Sequence, residues 1–104
     1  MFEFSRGDTF ALQVVGRENN VSLSANLKKV KEGGKTPEAT DPIIATFVVE
    51  DSTFNGQDSW LIKLLPTQTA NFIPANYAMQ LKREKTDFTT HSKIVFVKVK
   101  ESLF

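Results

Sequence analysis

Short runs of alternating apolar and polar residues, each closed by a turn signal, are the feature that most constrains how this chain can fold. Phe10, Leu12 and Val14 alternate with Ala11, Gln13 and Val15, and Val21, Leu23, Ala25 and Leu27 alternate with Ser22, Ser24, Asn26 and Lys28. Trp60, Ile62 and Leu64, then Tyr77, Met79 and Leu81, repeat the pattern. A period of two puts every second side chain on one face of an extended strand, so these runs read as half-buried strands. No stretch keeps apolar residues at i, i+3, i+4 and i+7 for long enough to make a stable helix. The expectation is an all-β fold of about seven short strands, a sandwich or a small barrel.

Turn residues set the boundaries. Arg6-Gly7-Asp8 breaks the chain after the apolar pair Phe2 and Phe4, and Gly16 to Asn20 reads as a hairpin loop. Lys28 to Pro42 is polar and holds Gly33-Gly34, Pro37 and Asp41-Pro42, which predicts a long flexible loop. In the next run, Ile43, Ala45, Phe47 and Val49 face one way and Ile44, Thr46 and Val48 the other. Both faces are apolar, which predicts a central strand. Asp51 to Asp58 is read as a loop around the Asn55-Gly56 turn signal. Pro66 presets a helical turn over about residues 67–72 with Thr67 as its cap, and Pro74 stops it. Glu84 to Asp87 reads as a loop, and a last strand is expected from about Ser92 to Lys100.

At 104 residues, with 40% hydrophobic and 24% charged side chains, the chain suits a single domain over residues 1–104 with a real core. It holds no cysteine, which removes disulfides, thiolate nucleophiles and cysteine metal sites together. A net charge of +1 argues against strong attraction to nucleic acid or an anionic membrane. The start, Met1 to Phe10, has acid and base by residue 6 and no apolar core of a signal peptide. No stretch reaches the roughly 18 apolar residues of a membrane span. Cytoplasmic synthesis is the expectation. Nine phenylalanines stand against one tryptophan and one tyrosine. Phenylalanine has no polar handle, so most of these rings are expected in a core or an interface.

Candidate chemistry is thin. His91 is the single histidine and no nucleophile motif accompanies it, so a lone polar side chain is the expected reading and no catalytic residue is assigned. Asp41, Asp51, Asp58 and Asp87 fall in expected loops without the spacing of a cation loop. No metal, cofactor or small-molecule substrate is therefore expected. Lys28, Lys29, Lys31 and Lys35 form a basic run without interleaved aromatics, interrupted by Glu32 and followed by Glu38 and Asp41, which favours a solvated loop over a phosphate site. Lys98 and Lys100 read as charges guarding an edge strand, or as part of an assembly edge from Lys93 to Lys100. Arg6-Gly7-Asp8 is taken as a structural turn, in which Gly7 relieves the backbone and Asp8 caps it.

Four stretches, taken in order, resemble a known family. Phe4-Ser5-Arg6-Gly7-Asp8-Thr9-Phe10 is similar to the opening of small immunoglobulin-like domains in bacteriophage tail and baseplate proteins and prophage structural proteins. Leu23-Ser24-Ala25-Asn26-Leu27 resembles the strand that follows that opening. The run from Leu64 to Tyr77, with Pro66, Thr69-Ala70 and Pro74, resembles the family's later corner. Lys93 to Val99 occupies the place of its final strand, without the usual glycine. The resemblance implies an immunoglobulin-like antiparallel sandwich in which Arg6, Gly7, Asp8, Trp60, Pro66, Thr69, Pro74 and Tyr77 are structural. A tyrosine after such a corner commonly ties its phenol back to nearby backbone.

The function this implies is a non-catalytic virion structural protein of the tail, baseplate or head–tail region. Its partners would be other virion proteins or copies of itself, with Lys28, Lys29, Lys31, Lys35, Lys98 and Lys100 on its assembly surfaces. The alternative is a stand-alone binding module, such as a phage-encoded inhibitor of a host protein or a carbohydrate-binding sandwich. Sugar binding asks for exposed stacking rings, whereas Trp60 and Tyr77 fall at inward-alternating positions. A nucleic-acid-binding barrel would need stacking aromatics in a basic groove, and the phenylalanines alternate inward instead.

Overall fold

The computed structural model describes residues 1–103, and residue 104 of the expected domain lies outside them. Two sheets face each other. The larger joins β1 (Phe2–Ser5), β9 (Val95–Lys100), β7 (Ala75–Lys85), β3 (Ser22–Lys29) and β4 (Ala45–Thr46) in that order, with β8 (Phe88–His91) also paired to β7. The smaller is β2 (Phe10–Val15), β6 (Gln57–Leu64) and β5 (Val48–Phe54). With β2, β3, β5, β6, β7 and β9 taken as strands B, C, D, E, F and G, the sheets have the B–E–D and C–F–G orders of an immunoglobulin-like sandwich. The pairing is antiparallel except between β1 and β9, which run parallel.

Alternation decides which side chains fill the gap between the sheets. Leu23, Ala25 and Leu27 from β3, Trp60, Ile62 and Leu64 from β6, Tyr77 and Met79 from β7, and Val97 and Val99 from β9 are all buried in one cluster. Phenylalanine closes one end of it. Phe4 stacks on Phe10 with ring centroids 4.7 Å apart, Phe72 meets Phe4 edge-on at 6.3 Å, and Phe10 also meets Phe47 at 6.3 Å. Of the nine phenylalanines, Phe4, Phe10, Phe47 and Phe72 are core, while Phe2, Phe54, Phe88 and Phe96 stay exposed.

Several boundaries differ from the sequence reading. The segment Gly16 to Asn20 is not a hairpin, because β2 and β3 lie in different sheets. It is an arch between them. Positive φ at Gly16 (101°) and Asn20 (64°) serves an arch as well as a tight turn, so residue type alone does not separate the two. The run from Ile43 to Val49 is not a central strand either. It edges the larger sheet as β4, crosses at buried Phe47, and continues as β5 at the edge of the smaller sheet. Ala45 faces inward from the first sheet and Val49, opposite Ile62, from the second, which is why so much of the run is apolar.

Strands also run further than expected around the tightest turns. Residues 51–54 and 57–58 are strand, leaving only Asn55 (φ 52°) and Gly56 (φ 78°) as the turn, a pairing suited to a two-residue hairpin. β7 continues to Lys85 and returns through Thr86-Asp87 as β8, a strand the sequence reading did not contain. The helical turn is α1 (Pro66–Thr69). Thr67 lies inside it and does not cap it. Gln68 does that work, its side-chain Oε1 accepting from the Leu65 amide at 2.8 Å while its Nε2 donates to Thr46 O at 3.2 Å.

The corner after α1 is held by Tyr77, whose hydroxyl donates to Ile73 O at 2.7 Å. Burial pushes the phenol's pKa above its ordinary value, so it stays a hydrogen-bond donor. Tyr77→Phe is expected to cost about 1 kcal/mol, the usual worth of one such bond, measured as a lower urea midpoint with an unchanged slope.

Candidate interaction surfaces

The outer face of the larger sheet carries a groove of about 330 Å³. Its floor comes from strand positions that point away from the core. Ser24 stands opposite Lys82, Asn26 opposite Gln80, and Lys28 opposite Ala78 on β3 and β7. One wall is Pro37, Glu38, Ala39 and Ile43, and the other is His91 and Ile94. The floor keeps free polar capacity: Asn26 Oδ1 accepts from Thr46 and Gln80 Nε2 donates to Ser92 O, leaving the opposite end of each amide without a partner among the described residues. Amide and lysine groups between rims that mix apolar side chains with Glu38 and His91 suit a polypeptide segment better than a sugar, since Trp60 and Tyr77 are buried in the core.

The basic run does not form a single surface. Lys28 and Lys29 belong to β3, so the connecting loop begins at Val30. Lys28 Nζ turns to the wall of the groove and donates to Glu38 O and Ala39 O, both at 2.9 Å. Lys31 sits 3.3 Å from Asp41 and 3.6 Å from Glu38, and its amide donates to Lys35 O at 2.9 Å. Only Lys29 and Lys35 project freely into solvent. Lys98 and Lys100 lie on β9, which is an interior strand, so they guard no edge; β1 covers that side, and Lys100 pairs with Glu3 at 3.3 Å. The expected Lys93–Lys100 edge fails because β1 pairs in parallel across a separation of about ninety residues, which no local pattern encodes.

Loop 30–42 is tied by a small electrostatic knot. The Glu38 amide donates to Asp41 Oδ2 at 2.7 Å, and this bond, with Lys31 beside it, holds the Asp41 carboxyl below its ordinary 3.8. The bond to Asp41 raises Lys31 in turn. A carboxyl whose folded pKa is lowered supports the fold above its unfolded value and loses that support as pH falls through the folded one. The knot is therefore expected to hold at neutral pH and to open below about pH 4, ahead of the core. Amide resonances of Lys31 and Glu38 followed by NMR during an acid titration check this; movement only together with core resonances would contradict it.

The Arg6-Gly7-Asp8 segment is turned onto the protein. Asp8 N–H donates to Ser5 O at 3.1 Å across a turn whose third residue, Gly7, has φ 82°. Asp8 Oδ2 accepts from the Ser5 amide at 3.3 Å. Arg6 reaches Glu101 at 3.2 Å and Ala70 O at 3.0 Å. Thr69, fully buried, donates its hydroxyl to Asp8 O at 2.7 Å. Pro66 opens α1 and Pro74 precedes β7. His91 ends β8, exposed, and makes no hydrogen bond to a described residue. Among the described residues no three histidine or carboxylate side chains gather as a metal site would need, and no helix is long and apolar enough to cross a membrane.

Arg17 was missed by the sequence reading. Its Nε donates to Ser59 O at 2.8 Å and Nη2 to Ser52 O at 3.3 Å, with Asp58 and Asp51 at 3.6 and 3.7 Å. No spacing signals it, because its partners lie 35 and 42 residues away. Asn26 and Gln80 were equally invisible as a pair; outward polar residues on strands are ordinary until the register sets them side by side. No protein-family model and no curated protein matches the sequence.

Proposed function

We propose that this chain is a non-catalytic assembly module of a bacteriophage or prophage particle, acting by docking to other particle proteins or to its own copies. One observation carries the reading most. Two of the stretches that resemble phage tail and baseplate immunoglobulin-like domains, Phe4–Phe10 and Leu64–Tyr77, pack on each other as a single corner. Thr69 Oγ1 to Asp8 O, Arg6 to Ala70 O, and the contiguous rings Phe10, Phe4, Phe72 and Tyr77 join them. Residues that share a motif only through distant spacing are thus explained by one shared structural task. Exposed apolar side chains outside the core, including Ile43, Ile73, Phe88 and Phe96, add surface that suits docking.

The groove between the loop 30–42 wall and Ile94 supports a second reading, a stand-alone module that captures a peptide segment of a host protein. Peptide mass spectrometry of purified particles separates the two. Stoichiometric presence is the result expected; absence from particles while the protein is abundant in infected cells overturns the assembly reading and favours the host-directed one.

A further inference from the structure

The free edge of β2 differs from the other sheet edges. β4 spans two residues and β8 four; β1 carries Glu3, and β5 carries Glu50 and Asp51. Short length and charge are the usual devices that stop an edge strand from pairing with another chain. β2 has neither: Phe10–Val15 reads Phe-Ala-Leu-Gln-Val-Val over six residues.

The ladder shows which backbone groups lie along this edge. Gly16 N–H donates to Asp58 O at 3.1 Å, continuing the register that sets Val14 opposite Trp60, Leu12 opposite Ile62 and Phe10 opposite Leu64. Hydrogen-bonded pairs alternate along an antiparallel ladder, so Phe10, Leu12 and Val14 bond to β6. The two-residue turn after Phe54 makes Phe54 and Gln57 a bonded pair, which turns the odd-numbered residues of β6 toward β5 and its even-numbered ones toward β2. The two assignments agree. Ala11, Gln13 and Val15 therefore point their N–H and C=O groups outward, and all three are exposed.

The geometry points to a two-fold dimer in which β2 pairs antiparallel with β2 of a second copy, centred on Gln13. In this register Gln13 meets the second copy's Gln13, and Ala11 meets its Val15. Each of these pairs consists of outward-pointing residues, so each can exchange both ladder bonds. On the inner face Leu12 meets Val14 of the second copy. Both are only partly buried at the rim of the core, and pairing would finish covering them. On the outer face Gln13 Oε1 already accepts from Ser59 at 2.8 Å, while its Nε2, without a partner among the described residues, can donate to the facing amide. A shift by one residue would set inner side chains against outer ones. Centring on Leu12 instead leaves Val15 without an outward-pointing partner in β2. A second copy suits the edge because the strand is uncharged and complementary to itself, which a two-fold interface requires.

The purpose of such a dimer rests on the assembly reading, but its existence is tested apart from it. Sedimentation velocity of the intact chain over a concentration series is expected to show reversible dimerisation. Gln13→Lys and Gln13→Glu set like charges opposite each other and are each expected to weaken self-association by more than about tenfold. Mixing the two variants is expected to restore a dimer, since lysine then faces glutamate. Gln13→Cys, in a chain with no other cysteine, is expected to form a disulfide dimer under mild oxidation at a Cα separation of about 5.5 Å, while Glu50→Cys on the opposite edge is not. A wild-type chain that stays monomeric throughout the series, or a dimer indifferent to both charges at residue 13, overturns the proposal. Neither result touches presence in particles, and absence from particles would leave the dimer standing.

Discussion

Phe10→Ala is expected to remove about 3–5 kcal/mol of stability, a large share of the roughly 5–15 kcal/mol that holds a domain of this size. The reason is its position at the junction of three ring contacts. Phe10 stacks on Phe4 at 4.7 Å, meets Phe2 edge-on at 6.0 Å, and touches Phe47, the residue where the chain crosses from β4 to β5. Truncation leaves a cavity against both sheets and loses aromatic pairing worth about 0.5–1.5 kcal/mol per contact. Phe10→Leu keeps most of the volume and is expected to cost much less. Trp60, the single tryptophan and buried in the same core, reports unfolding by fluorescence during a urea titration. A fall in midpoint for Phe10→Ala no larger than for Phe10→Leu would show that lost volume is not what destabilises this end of the sandwich.

Arg17→Ala is expected to cost about 2–3 kcal/mol despite its position on a loop, because the guanidinium bonds two backbone carbonyls of neighbouring strands while flanked by two carboxylates. The amides of Gly16 and Arg17 both donate to Asp58 O at 3.1 Å, so the side chain completes a clasp between the arch and the β5–β6 hairpin. Arg17→Lys keeps the charge but lacks the planar fork that reaches Ser59 O and Ser52 O together, and is expected to recover little. Urea unfolding supplies the energies, and amide exchange in β5 supplies the location. Equal stability of Arg17→Lys and wild type would mean that charge alone acts here.

Of the fold, the most legible parts were those with a purely local cause. The inward residues of β3, β6, β7 and β9 follow from period-two alternation, because a strand has two faces and only one meets the core. Pro66 opening a turn and Asn55-Gly56 making a hairpin are set by the backbone angles those residues accept. The phenol of Tyr77 bonds a carbonyl four residues back, still within local reach.

The misread elements share a different cause. Gly16–Asn20 suits a hairpin or an arch equally, and only the pairing of β2 with β6, some fifty residues on, decides for the arch. The apolar faces from Ile43 to Val49 mimic a central strand because they serve two sheets in succession. Lys98 and Lys100 resemble edge guards until β1 arrives beside them from the far end of the chain. The clasp of Arg17, the groove amides Asn26 and Gln80, and the junction of Asp8 with Thr69 are likewise made by residues that meet only when the sandwich closes.

By itself, then, the sequence determined that this protein is built of strands, which side chains face its core and where its tight turns fall. Each follows from sterics and solvation acting over a few residues. Tertiary structure alone decided which strands are neighbours, which edge is left open and which polar groups meet, since strand pairing is made by backbone groups that every residue carries alike.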